Sequence, residues 1–286
     1  MVAVLIVCED SAHAALIDAL VRRRLCALAR ARGADWLADR FDEQDTEQIA
    51  LSWEGDGAGY VLRWLGEETL DELGQDRPRV RYTTKVQASR MSEAFTINGR
   101  RPRLSGFLED GPAKPEAHLW RRKLLWAYAE HDTMDAIVIG YDTDGDPMKL
   151  EGLKQAIRVT EWARERVVIA APHQDAEAWF VAGFQPDTAD ERARLTSVSN
   201  DLGFNPCTEP TRLTAQPNDA PADAKRVLRR LVFDENRSKP PRKEELRELV
   251  DRCLADLGLL EARQGEATGI DALFEEVEAL LYPLVS

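Results

Sequence analysis

Three short runs of consecutive apolar residues stand out from an otherwise mixed chain, at positions 2–7, 136–139 and 167–171. Each is too brief for a helix. None alternates with polar positions, as a strand with one wet face would, so each predicts a strand buried on both faces of a parallel sheet. Helical periodicity follows each run. After the first, Leu16, Leu20, Leu25 and Leu28 supply the apolar positions of an amphipathic helix over 14–31, Arg22, Arg23 and Arg24 supply a polar stretch, and Ser11 stands where an N-cap belongs. After the second, the pattern predicts a helix over 150–165; after the third, one from about Asp175. Three strand-to-helix units, at 2–31, 136–165 and 167–183, predict an α/β fold with a doubly wound, mainly parallel sheet flanked by helices.

The pattern changes between the first two units. Residues 32–75 are acidic, with Trp36, Trp53 and Trp64 interspersed; 49–53 reads as a strand, and 59–73 as a strand or helix followed by an acidic helix. The charge then inverts. From 77 to 107 the chain carries Arg77, Arg79, Arg81, Lys85, Arg90, Arg100, Arg101 and Arg103 against Glu93 as the only acid, with Tyr82, Phe95 and Phe107 interleaved. Asn98-Gly99 has the composition of a hairpin turn. A helix over 116–130 carries Arg121, Arg122 and Lys123. The expected organisation is a domain over 1–184 with a basic insertion at about 32–130. An irregular linker and a helical C-terminal region, 185–286, pack on it. Five prolines, at 186, 206, 210, 217 and 221, mark 185–224 as irregular; helices follow at 224–232, 243–259 and 271–281. The basic residues of 225–243 are interspersed with Asp234 and Glu235.

Composition narrows the function classes. A net charge of −13 argues against a protein that coats nucleic acid generally. The inverted stretch 77–103 is then either a solvated face or a local phosphate-contacting surface with aromatics for stacking. No stretch approaches the roughly 20 apolar residues of a membrane span, and no basic segment precedes the first strand, so a cytoplasmic protein is expected. Cys8, Cys26, Cys207 and Cys253 have no metal-type spacing and read as reduced thiols.

The candidate chemistry lies where the apolar runs end. Asp142, Asp144 and Asp146 follow the second run at alternate positions, with Gly145 and Pro147 breaking the strand. Three carboxylates at one strand tip repel one another unless a cation sits among them, and an all-oxygen cluster suits Mg²⁺ or Mn²⁺. An acidic turn that caps the next helix fits the same residues. Glu9 follows the first run and Glu177 the third. Tips of neighbouring parallel strands lie about 5 Å apart, so these acids can converge. Separately, Glu9 reads equally as a carboxylate at a helix N-terminus, and Glu177, near Trp179, as part of an ordinary helix. His13 and His173 stand close to the same tips, where a solvated or hydrogen-bonded histidine is the commoner role.

An early strand ending in glutamate (Val4-Leu-Ile-Val-Cys-Glu9) and a later one ending in Ile137-Val-Ile-Gly-Tyr-Asp142-Thr-Asp144-Gly resemble the TOPRIM superfamily of topoisomerases, bacterial primases and OLD-family nucleases. The stretch 167–182, with its Glu177-Ala-Trp179, resembles small stand-alone TOPRIM proteins encoded beside an ATPase in antiviral defence loci. The likeness covers 2–31 and 134–183. It implies a Mg²⁺- or Mn²⁺-dependent nuclease in which Asp142 and Asp144, with Asp146, coordinate metal. Glu9 would serve as general acid/base or complete that site, and Glu177 would bind a second metal or orient a water. It also implies nucleic acid as substrate and an ATPase partner and leaves an oligomer open; no membrane association is expected. Asp10 stands where the family has a small residue, and Gly140-Tyr141 interrupts the aliphatic run. Those departures imply the alternative, a catalytically inactive TOPRIM-like nucleic-acid-binding or assembly subunit. The opening also resembles a response-regulator receiver, but Asp142 lies much too far along for the phospho-accepting aspartate.

Overall fold

The computed structural model describes residues 4–8, 11–42, 60–62, 80–84, 107–130, 135–143, 145–172, 175–215, 220–232, 243–264 and 268–286. The expected strand at 49–53, the hairpin at 98–99 and the basic stretch 237–242 lie outside these residues.

Among the described residues the main sheet has five strands. They are β1 (Val4–Cys8), β2 (Tyr60–Leu62), β3 (Val80–Thr84), β6 (Ala136–Gly140) and β7 (Val167–Ala170). Their order is β2-β3-β1-β6-β7, and only the β2–β3 pairing is antiparallel. The three apolar runs are therefore adjacent strands β1, β6 and β7. A two-stranded hairpin, β4 (Phe107–Leu108) with β5 (Gly111–Pro112), stands apart. The fold is α/β. β3 is a correction to the sequence reading, which took its Val80-Arg-Tyr-Thr-Thr only as part of a charged stretch.

Side chains of each buried strand divide between two cores, as the two-residue strand period requires. Val4, Ile6, Cys8, Ala136, Val138, Val168 and Ala170 join the first core. It also holds α1 (Ser11–Ala31), α2 (Asp35–Asp42), α5 (Glu177–Gly183) and the C-terminal helices. Leu5, Val7, Ile137, Ile139, Val167 and Ile169 join the second, with α3 (Ala117–Glu130) and α4 (Pro147–Arg158). Helices thus cover both faces. Gly140 lets the β6 tip lie against β1, since a Cβ there would collide with the Ile17 side chain and Cys8 Cβ.

The C-terminal region contains α6 (Ala189–Leu202), α7 (Ala224–Val232), α8 (Lys243–Cys253), α9 (Leu257–Gln264), α10 (Ile270–Glu276), a π turn over Val277–Leu281, and α11 (Tyr282–Val285). Helix α6 overturns the expectation of an irregular 185–224. The predicted helix at 243–259 is two helices, because Asp256 Oδ1 accepts the Leu259 amide at 2.9 Å and starts a new one. The helix predicted at 150–165 ends at Arg158 and continues as a 3₁₀ turn, Glu161–Glu165. Helix α1 begins at Ser11 itself, one residue earlier than an N-cap serine there would allow.

Arginines of α1 and Arg32, just beyond its end, hold this region in place. Arg23 pairs with Asp251 at 3.0 Å, Arg24 reaches Glu261 at 3.1 Å and Glu278 at 3.3 Å, and Arg32 meets Glu278 at 2.8 Å. On the sheet's edge, Glu276 of α10 accepts the Ile169 amide of β7, so a backbone donor on the open edge is satisfied by a side chain. Burial raises the Glu276 pKa, against the lowering effect of that hydrogen bond. All four cysteines are buried and free, and burial pushes the Cys207 and Cys253 thiols up to about 12. Among the described residues no helix is long and apolar enough to cross a membrane.

Helix α6 opens with a capping box. The Thr188 hydroxyl accepts the Glu191 amide at 3.1 Å while Glu191 Oε2 accepts the amides of Thr188 and Asp187. Arg252 of α8 donates to both Glu191 oxygens, at 2.9 and 3.2 Å. Burial pushes the Glu191 carboxyl upward, but its bonds to Arg252, Asp187 and Thr188 outweigh that and bring it down to about 2. Glu191→Ala is expected to lose about 2 kcal/mol of stability, from a lost cap and charge-assisted bonds. Arg252→Ala should behave similarly, and the double variant should lose less than the two singles together, by urea denaturation.

Candidate functional site at the strand tips

The pairing β1–β6–β7 places the carboxyl ends of three neighbouring parallel strands side by side, where open α/β sheets bind ligands. From β6 the chain passes through Tyr141, Asp142 and Thr143, all buried. Tyr141 continues the strand alternation into the second core, edge-on to Trp120 with ring centroids 5.1 Å apart. Its hydroxyl donates to Glu116 Oε2 at 2.7 Å. Glu116 holds a left-handed backbone (φ 60) just before α3, a strained conformation for a residue other than glycine. Thr143 Oγ1 donates to the Pro172 carbonyl at 3.2 Å, tying the β6 exit to the β7 exit.

Asp142 is 3% exposed, and its Oδ2 lies 3.3 Å from His13 Nε2 in the first turn of α1. Asp146 has a different role. Its Oδ1 accepts the Met148 amide at 2.9 Å, making it the N-cap of α4 with Pro147 in the first turn. For this residue the acidic-turn reading is realised.

Glu177 opens α5. The residue keeps some contact with water, yet its Oε2 is sealed off and has no hydrogen-bond partner among the described residues. Burial raises this carboxyl from 4.5 to about 7; Lys225, His13 and its own backbone amide pull it down, and Asp175 pushes it up. Asp175 is itself buried and lies 3.6 Å from Lys225 Nζ at the start of α7. The structure therefore brings Asp142, His13, Asp175, Glu177 and Lys225 to one end of the sheet. Asp175 and Lys225 were not singled out by sequence, and nothing local marks them, because their contact joins residues 50 positions apart.

No protein-family model, no curated protein and no solved structure matches this chain.

Glu9, Asp144 and His173 lie outside the described residues, as do Arg77, Arg79, Lys85, Arg90, Arg100, Arg101 and Arg103. Arg81 falls on β3, in register with Leu5 and Val61 of the flanking strands. Among the described residues no three histidine, cysteine or acidic side chains group closely enough to hold a metal ion. Asp142 is buried and Glu177 largely so at adjoining strand exits, and among the described residues Glu177 Oε2 is left without a donor. A buried carboxylate so placed is stabilised by a positive charge beside it.

Proposed function

We propose that this protein is a Mg²⁺- or Mn²⁺-dependent nuclease of TOPRIM type, hydrolysing phosphodiester bonds at the carboxyl end of the sheet. Asp142 and Glu177 would hold the cation, together with Glu9 and Asp144. The observation that carries this is the sealed Oε2 of Glu177, without a partner among the described residues and set near His13, which in turn pairs with the buried Asp142. The parallel β1–β6 pairing adds support, because a site shared by Glu9 and Asp142 requires those two tips to be neighbours.

When bound, such an ion neutralises charge on the phosphate and acidifies a bound water. The chain's own groups do the rest. His13 orients the Asp142 carboxylate through Oδ2. Tyr141, anchored on Glu116, fixes the direction in which the chain leaves β6, so that Asp142 enters the site in one orientation. Lys225 balances the charge of Asp175 and Glu177. An antiviral role and an ATPase partner rest on the family resemblance alone. The second reading, an inactive subunit, is favoured by Asp146, which serves as a helix cap.

Thermal melting with and without Mn²⁺, beside cleavage of single- and double-stranded DNA and RNA, separates the two. The expected result is a Mn²⁺-dependent rise in Tm and cleavage. Both should be lost in Asp142→Asn, with cleavage reduced at least about 100-fold, the upper end of losses seen even for outer-shell partners of metal ligands. A wild-type protein with neither response is the inactive subunit.

A further inference from the structure

Helix α7 reads Ala-Lys-Arg-Val-Leu-Arg-Arg-Leu-Val, four cations and no acid, in a chain whose net charge is −13. Its apolar positions Ala224, Val227, Leu228 and Leu231 are buried, which turns Lys225, Arg226, Arg229 and Arg230 to the other side. Residues three and four apart on a helix stand about 5–6 Å from one another, so these four form one continuous stripe. The stripe is held rigidly. Buried Asp223 accepts the Arg226 amide at 2.8 Å, and the Thr214 backbone pairs with Ala222 and Ala224 on either side of the helix start.

The neutralisation of the stripe is uneven. Arg230 is engaged by Asp201 at 2.5 Å. Lys225, 40% exposed, lies at a looser 3.6 Å from Asp175. Arg229 is exposed, and no ion pair to it occurs among the described residues. Position completes the case. Asp175 is two residues from Glu177, so the stripe begins at the rim of the carboxylate site and runs outward from it. A cationic ladder leading out of a site for phosphodiester chemistry matches a strand carrying one negative charge per nucleotide.

We propose that the α7 stripe is the track on which a nucleic-acid strand lies, read through its phosphates and not its bases. This rests on the nuclease reading, but its test is independent of cleavage. Binding of fluorescent DNA and RNA oligonucleotides is measured in EDTA across a salt series, for wild type and Arg226→Ala/Arg229→Ala; Arg158→Ala, on α4, is the control. Lys225 is left intact because it adjoins the site.

The double variant should bind roughly tenfold more weakly at low salt. Its salt slope should be shallower by about 1.4 for single strands, as expected for two lost phosphate contacts. Arg158→Ala should bind as wild type, and circular dichroism should show both variants folded. Binding lost equally for all sequences supports the track. An unchanged slope in the double variant, or no oligonucleotide binding by wild type, overturns it. So does a variant that loses affinity for polyglutamate while its affinity for oligonucleotides stays unchanged, which would make the stripe a docking surface for an acidic protein. Oligonucleotide binding with the expected slope but no cleavage in Mn²⁺ would leave the track standing and sink the nuclease reading.

Discussion

Glu177→Gln is expected to stabilise the metal-free protein at pH 8 by about 2 kcal/mol while removing its response to divalent cations. The carboxyl is raised from 4.5 to about 7 in the folded state, chiefly by burial. The native protein thus holds that proton more tightly than the unfolded chain. Stability from this group is complete below about 4.5, is lost as pH rises from there to about 7, and stays lost above. An ionised carboxyl so displaced is disfavoured by about 3 kcal/mol, and the residue's remaining contact with water lowers that to about 2 kcal/mol. Glutamine carries no charge to desolvate. In EDTA, the variant should therefore melt roughly 5 °C above wild type at pH 8 and level with it near pH 4. With Mn²⁺ at pH 8 the order should reverse, because only wild type gains from the ion. A variant that melts below wild type at pH 8 without metal would show that Glu177 is a satisfied structural carboxylate, and the candidate site would lose its central member.

Much of the frame was legible because burial on both faces leaves a plain mark. The apolar runs became β1, β6 and β7, and α3 and α7 fall within one residue of their predicted bounds. Where reading failed, a second signal overrode the one being followed. In α6 only Glu191 and Val198 are buried, so no apolar stripe announces it; Thr188 with Glu191, and Gly203 beyond its end, were the readable marks. In β3 Arg81 drew attention as charge, while Val80, Tyr82 and the two threonines are ordinary strand formers beside β1. The site divides likewise. Asp142 and Glu177 were visible because they follow strands. His13 was visible beside the first strand tip but was read as an ordinary histidine; Asp175 and Lys225 join the site only through tertiary contact between the β7 exit and α7, which no local pattern encodes.

At the far end of α5 from Glu177, Gly183→Ala is expected to be strongly destabilising. A Cβ at Gly183 would run into the carbonyl of Cys253, the last residue of α8. That carbonyl is backbone and has little freedom to retreat. Arg252 ties the same turn to Glu191 and lies over the Phe184 ring, and Arg263 donates to the carbonyls of Ala182 and Phe184. Overpacking against a fixed partner costs about 3 kcal/mol. Two other glycines calibrate the result. Gly203 has open space around it but a left-handed backbone (φ 72), so alanine there should cost about 1 kcal/mol. Gly258 lies within α9 with only Asp256 Oδ1 nearby, and alanine there should be neutral or stabilise by a few tenths of a kcal/mol. Urea denaturation of the three variants should give that order. Because Glu177 and Gly183 share one seven-residue helix, wedging α5 away from α8 should also displace Glu177. Gly183→Ala should therefore weaken the Mn²⁺ response as well as stability, whereas Gly203→Ala should lower stability alone.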